Sequence, residues 1–283
     1  MRAVNPRIVY AALTGFGSDG PYGGRPAYDD LIQGASGLAA MLDPPRYVPS
    51  LIADRHVGVS AAAAILAALA GARATGEGRA IEVPMFETMA EFVLADHLNG
   101  WSYDPPQGQT GYSRIVSPNR KPYPTLDGHL CLIVYTERHW LDFFTLAGEL
   151  DRFLAEPILN ELERRRADFD HAYATVAAIV ATRTTAEWLA LLDDKDIPHM
   201  ALQRVETLVA DPHLAATGML RELGINGEPM RVIGAPVRWG DTRPPPANAP
   251  WLGEHTRDVL AEAGYTPGEV NAMIASGAAS GPV

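Results

Sequence analysis

The sequence predicts an α/β fold in two unequal parts, a parallel-sheet domain that is incomplete at its start and a smaller α+β domain. Three observations carry this. Residues 7–14 (RIVYAALT) form a nearly all-apolar run that enters the glycine-rich GFGSDGPYGG, and a strand that apolar needs cover on both faces, as in a parallel sheet. A long alanine-rich helical segment and a second strand-like run, RAIEVPMFE, follow it. From about Gly108 the texture changes to QGQTGYSRIVSPNRKPYP, polar and turn-rich, which marks a boundary.

The elements are expected in this order. A strand over Arg7–Thr14 and its glycine loop lead to a helix over Tyr28–Leu42, whose small residues allow close packing, and then to the proline-bounded loop DPPRYVPS. Asp54 opens a helix over about Arg55–Arg73, ended by TGEG, where Gly76 and Gly78 can take left-handed angles. Its alanine surface predicts a buried helix. After RAIEVPMFE comes a helix over Glu87–Asn99.

The second part starts with a turn at Leu126–His129 and the strand HLCLIVY, where Cys131 is expected to be buried. Helices follow from Thr136, from about Pro157 to Ala181, and from Thr184, which forms a capping box with Glu187. Extended pieces are expected at Ala201–Val205 and Met230–Trp239, then the linker DTRPPPANAP. A last helix is capped by Thr266, with a proline in its first turn and Glu269 at N3. The domain reading is 1–107, 108–240, and a linker with C-terminal helices over 241–283.

Of 283 residues, 47% are hydrophobic and 20% charged, with 26 Gly and 23 Pro, a globular composition rich in turns. The net charge of −11 argues against a nucleic-acid or anionic-membrane partner, because phosphate backbones are held by clustered Lys and Arg. One cysteine excludes a disulfide framework or cysteine metal site and fits a reducing cytoplasm. The first residues have no signal-peptide core, and the apolar run Ala61–Ala70 is short for a bilayer, so the expectation is a cytoplasmic protein. Phosphate-loop, H-E-x-x-H and G-x-S-x-G patterns are absent, the histidines are scattered, and no metal is expected. Gly15-Phe16-Gly17 is not a dinucleotide fingerprint. It offers backbone N–H groups after a strand, suited to substrate oxygens or simply to turning the chain.

Asp54 has two readings. Its carboxylate can cap the helix by accepting from the first free N–H groups. Alternatively, the helix dipole favours a charged, nucleophilic carboxylate there, one that can attack an acyl carbon and divide a hard transfer into two easier ones. On the residues alone the capping reading is the stronger.

The motifs together resemble the family III coenzyme A transferases, which include formyl-CoA and carnitine-CoA transferases and acyl-CoA racemases. NPRIVYAALTGFGSDGPYGGRPAYDDLIQGASGLAAM is similar to the family's strand, glycine loop and helix, and IADRHVGVSAAAAILAALAGARATGEGRAIEVPMFE to its catalytic segment. KPYPTLDGHLCLIV, TTAEWLALLDDKDIPHMALQRVETLVADPHL and APWLGEHTRDVLAEAGYTPGEV continue the likeness in order. The resemblance implies a Rossmann-like sheet domain of the interlocked-dimer type, and hence a homodimer. It makes Asp54 the nucleophile, forming a mixed acyl anhydride and then an aspartyl-CoA thioester, with an acyl-CoA and a small carboxylic acid as substrates and no cofactor beyond CoA.

Gly15, Phe16, Gly17, Tyr28 and Asp29 are then substrate-binding candidates, and Arg25 and Arg55, with Arg73, candidates for the CoA phosphates. The racemases of the family carry a histidine in the segment matching Ala27-Tyr28-Asp29. Tyr28 stands there here, so transfer is preferred over racemisation. The likeness starts just after the family's nucleotide-fold portion, at the strand containing Ile8. The expectation is a fragment, a misassigned start, or a partner that supplies the rest, and the alternatives to transfer are an acyl-CoA racemase or an inactive fragment or subunit lacking the main CoA-binding portion. RIVSPNRKPY stands near the family's glycine-rich flap, which leaves the acyl substrate open.

Overall fold

The computed structural model describes residues 3–225 and 228–281. The chain forms two compact units, Met1–Ala201 and Leu202–Val283.

In the first unit, β1 (Tyr10–Thr14) pairs in parallel with β2 (Ala80–Pro84), in register from Tyr10 opposite Ala80 to Thr14 opposite Pro84. Between them run α1 (Asp29–Ala35) and α2 (Ile52–Thr75), and α3 (Met85–His97) follows β2 directly. This is the mixed α/β layer with a parallel pair that the sequence predicts. Phe16, Ile32, Ala53, Val57, Ala61, Val83 and Met89 form one core that ties loop, helices and strand together. The helix expected to reach Leu42 stops at Ala35, because Gly37 adopts φ +87° and the chain continues as a short 3-10 turn, Ala39–Met41. At the far end of α2, Gly76 takes φ +78° and donates its N–H to the Ala72 carbonyl. Gly78 is needed for a different reason: a Cβ there would lie 1.9 Å from the Ile8 carbonyl oxygen.

The expectation that α2 is buried needs correcting. Ala53, Val57, Ala61, Ala68 and Ala72 form a buried stripe, but on other faces Val59 is 71% and Leu66 67% exposed. Spacing at three and four residues puts one stripe against α1, α3 and the strands, and the described residues supply no second layer. The run Ala61–Ala70 also belongs to a longer helix of 24 residues that is, by length and composition, long and apolar enough to cross a bilayer.

The unit's other sheet is antiparallel, in the order β3 (Tyr123–Pro124), β4 (His129–Leu132), β5 (His199–Ala201). Helices Glu137–Ala147, Phe169–Val180 and Thr185–Leu192 cover it through Leu130, Trp140, Phe143, Phe144, Val176 and Trp188. Three expectations shift. The strand expected over HLCLIVY ends at Leu132, and Cys131 is only partly buried. The single helix expected over 157–181 is three, Pro157–Asn160, Leu162–Ala167 and Phe169–Val180, with Asp168 capping the last by accepting the His171 N–H at 3.0 Å. Instead of an extended Ala201–Val205, the strand closes at Ala201 and Val205 begins a helical turn.

In the second unit, β6 (Leu220–Ile225) and β7 (Glu228–Ile233) pair antiparallel, and helices Thr256–Glu262 and Pro267–Ala275 follow. The expected extended piece Met230–Trp239 therefore ends at Ile233, with Trp239 bridging only to Thr242. Both expected capping boxes are present, Thr184 with Glu187 and Thr266 with Glu269. Thr184→Ala removes the acceptor for the Glu187 N–H and is expected to cost about 0.5–2 kcal/mol, read by urea denaturation.

Four carboxyls lie below their ordinary range because the fold donates hydrogen bonds to them. The Thr185 backbone N–H acts on Asp127, the Ser117 hydroxyl on Asp170, the Thr184 hydroxyl on Glu187 and the Thr266 backbone N–H on Glu269. A depressed folded-state pKa stabilises above the unfolded value near ~4 and is lost as the pH falls through the folded value. The denaturation midpoint is therefore expected to be flat down to about pH 5 and to fall below it, and less steeply in Thr185→Ala, which removes the hydroxyl donor to Asp127.

Candidate active site

Asp54 is the third residue of α2, whose N-cap, Leu51, offers no side-chain acceptor. The acceptor comes from α1 instead: Asp29 Oδ2 accepts the Asp54 N–H at 3.0 Å. Asp29 is 4% exposed, and its Oδ1 accepts from Gln33 Nε2 at 2.5 Å. Gln33, fully buried, also accepts the Val48 N–H at 2.8 Å and donates to the Ser50 carbonyl at 3.2 Å. One Asp–Gln pair on α1 thus fixes both the loop entering α2 and the first turn of α2.

The consequence for Asp54 is chemical. Its backbone is held, while its side chain is exposed and accepts no hydrogen bond among the described residues. A carboxylate at the positive end of a 24-residue helix, free of capping duty, is placed to react.

Asp29→Ala leaves the Asp54 N–H without its acceptor and removes one of the acceptors of Gln33 Nε2. The expected loss is about 1–3 kcal/mol of stability, together with faster hydrogen exchange at the Asp54 amide.

The glycine loop is also pinned. Gly15 passes Ala27 so closely that a Cβ would sit 2.4 Å from the Ala27 Cβ. Phe16 is buried against Tyr22 and Phe86, ring centroids at 5.5 and 5.6 Å. The Gly17 N–H donates to Glu87 Oε1 at 3.0 Å. Glu82 accepts the Ser18 N–H at 3.2 Å, the Ser18 hydroxyl at 2.9 Å and the Thr14 hydroxyl at 3.1 Å. The amides of Gly17 and Ser18 are therefore engaged by Glu87 and Glu82. Sequence reasoning missed both acids and Gln33. The available signal was Glu82, a lone acid in the otherwise apolar AIEVP.

The remaining candidates are spread out. Tyr28 is 83% exposed at the N-cap of α1. Arg25 lies 4.6 Å over the Tyr22 ring and, with Phe16, Leu31 and Phe86, lines an apolar cavity of about 550 Å³. Arg55 is exposed beside Asp54. Arg73, in the last turn of α2, is roughly 28 Å along the axis from Asp54 at ~1.5 Å per residue, so one compact ligand group cannot touch both. Among the described residues no cluster of three or more His, Cys, Asp or Glu could hold a metal.

The family model for CoA-transferase family III matches residues 1–256. The chain belongs to that family. Among its relatives is a protein of Mycobacterium tuberculosis (strain ATCC 25618 / H37Rv) named "Probable fatty acyl-CoA transferase Rv3272". It is 26% identical over 281 residues, covering 92% of this chain and 70% of its own length. Another is a succinate–glutarate CoA-transferase of Agrobacterium fabrum (strain C58 / ATCC 33970), 28% identical over 289 residues, 93% of this chain and 67% of its own. The fold matches that of the orthorhombic crystal form of Rv3272, with a TM-score of 0.70 at 24% identity, covering 86% of this chain and 65% of that one. It also matches a CAIB/BAIF family protein from Brucella suis, with a TM-score of 0.70 at 24% identity, covering 92% and 69%. This family III chain spans about two thirds of the length of the relatives it matches.

Proposed function

We propose that the protein is a CoA transferase that moves coenzyme A from an acyl-CoA to a small carboxylic acid, with Asp54 as the nucleophile. The observation that carries this is the division of labour at α2: Asp29 caps the helix, and the Asp54 carboxylate is left exposed and, among the described residues, unpartnered.

An Asp54 oxygen attacks the thioester carbonyl carbon, the C–S bond breaks, and an acyl–aspartyl anhydride and CoA thiolate result. The thiolate attacks the aspartyl carbonyl, releasing the donor's carboxylate and leaving an aspartyl-CoA thioester. The acceptor carboxylate attacks that thioester and expels thiolate, giving a second anhydride. Attack of the thiolate on the acceptor's acyl carbon forms the new acyl-CoA and regenerates the Asp54 carboxylate. Each step exchanges one leaving group for one nucleophile, so no redox partner is needed. The dipole of α2 favours the carboxylate before attack and the negative charge that develops beside it.

Within this reading Arg25 and Arg55 bear on the CoA phosphates, and Gly15, Phe16, Gly17, Tyr28 and Asp29 shape or support the pocket. Arg25 has the apolar cavity beside it and Arg55 the position next to Asp54 in its favour. A homodimer is part of the same proposal, and the uncovered apolar residues Val59 and Leu66 of α2 favour burial against another chain. Cytoplasmic residence also belongs to it, supported by a single free cysteine.

The test is steady-state kinetics with donor and acceptor acids drawn from those named for the relatives, succinate, glutarate, mesaconate and oxalate. Parallel double-reciprocal lines are expected, since a covalent intermediate separates the two half-reactions. Exchange of the substrate α-proton with deuterated solvent, without CoA transfer, would instead identify a racemase.

A further inference from the structure

Beside the antiparallel sheet of the first unit lies a cavity of about 250 Å³ lined by none of the residues assigned to the reaction above. Its rim carries Arg114, Arg120 and Lys121, and no acid lines it, in a chain whose net charge is −11. Leu132 and Val134, both buried, form an apolar wall.

The cationic rim is built rather than loose. Arg114 Nε donates to the Tyr173 hydroxyl at 2.7 Å and the guanidinium lies 4.4 Å over the Tyr135 ring. The turn before Arg120 is held by Asp170, whose Oδ1 accepts from Ser117 Oγ at 2.7 Å and Asn119 Nδ2 at 2.9 Å. Asp170 is the acid whose charge Lys121 feels, and its Oδ1 is already taken by those two donors. The second pointer to a ligand is Tyr123. It is 5% exposed, it lines the cavity, and its hydroxyl has no hydrogen-bond partner among the described residues. The ring is buried while the hydroxyl has no partner among those residues, so the hydroxyl is free to hydrogen-bond a ligand oxygen in the cavity.

We propose that this cavity binds a small organic acid. The carboxylate is held by Arg114, Arg120, Lys121 and the Tyr123 hydroxyl, and its apolar or aromatic body lies against Leu132 and Val134. Guanidinium forks suit a planar carboxylate. The volume, below the ~300–1,000 Å³ of pockets for drug-sized ligands, excludes a whole coenzyme A molecule.

The experiment is calorimetric titration of the full chain with benzoate, acetate and inorganic phosphate at low ionic strength. Saturable one-to-one binding of benzoate is expected, about tenfold tighter than acetate or phosphate because only benzoate brings a body for the apolar wall. Binding should weaken about tenfold or more in the double variant Arg120→Ala/Lys121→Ala, whose side chains are exposed, and about threefold or more in Tyr123→Phe, which keeps the buried ring. Absence of saturable benzoate binding, phosphate binding as tightly as benzoate, or undiminished benzoate binding in both variants overturns the proposal. The readout is binding alone, so its failure leaves the Asp54 reading untouched, and the reverse holds too.

Discussion

Asp54→Ala is expected to lower CoA transfer by roughly 10³-fold or more, since removing a covalent nucleophile removes the pathway and leaves only binding and electrostatic assistance. The same substitution should leave stability within about 0.5 kcal/mol. The side chain is exposed and makes no hydrogen bond among the described residues, and the amide that caps onto Asp29 belongs to the backbone and survives. That pairing of outcomes separates the two readings of the residue. Had Asp54 been the cap, alanine would cost stability of the usual capping size. Transfer rate and urea denaturation on one preparation measure both.

The largest stability effect is expected at Trp188→Ala, a loss of about 3–5 kcal/mol. Trp188 is fully buried, stacks on Phe143 with centroids 5.6 Å apart, donates its Nε1–H to the Val180 carbonyl at 2.8 Å and lies under the Arg183 guanidinium at 4.9 Å. Alanine leaves a cavity among rigid aromatic neighbours and leaves the Val180 carbonyl with only the longer bond from the Arg183 N–H at 3.5 Å. Trp188→Phe restores most of the volume but not the donor, so it should recover more than half of the loss in the same assay.

What the sequence made legible was local. The strand and glycine loop, the long helix beginning at Asp54, the left-handed stop at Gly76 and the capping boxes of Thr184 and Thr266 all depend on residues within a few positions of each other. What stayed hidden was made by contact across the chain. The Asp29–Asp54 hydrogen bond spans 25 residues, and the Glu82 and Glu87 contacts to the glycine loop span 64 and 70, so no periodicity signals them. Composition also misled about α2. Alanine on every face reads as burial, yet only the stripe from Ala53 to Ala72 is covered among the described residues. The second of the two breaks in the expected 157–181 helix came from Asp168, a cap whose role depends on where the preceding turn ends. The basic segment RIVSPNRKPY read as a polar turn near the family's flap and not as a cavity wall, because the buried ring of Tyr123 that gives its charges a cavity is set by the sheet.

The central claim is that the Asp54 carboxylate forms a covalent bond with the substrate. Mass spectrometry of the peptide containing Asp54, after brief mixing with an acyl-CoA and quenching in acid or hydroxylamine, tests it most directly. The account predicts an acyl, CoA or hydroxamate adduct on Asp54 that disappears in Asp54→Ala. Steady turnover with Asp54 unmodified, or an adduct on another residue, would contradict it.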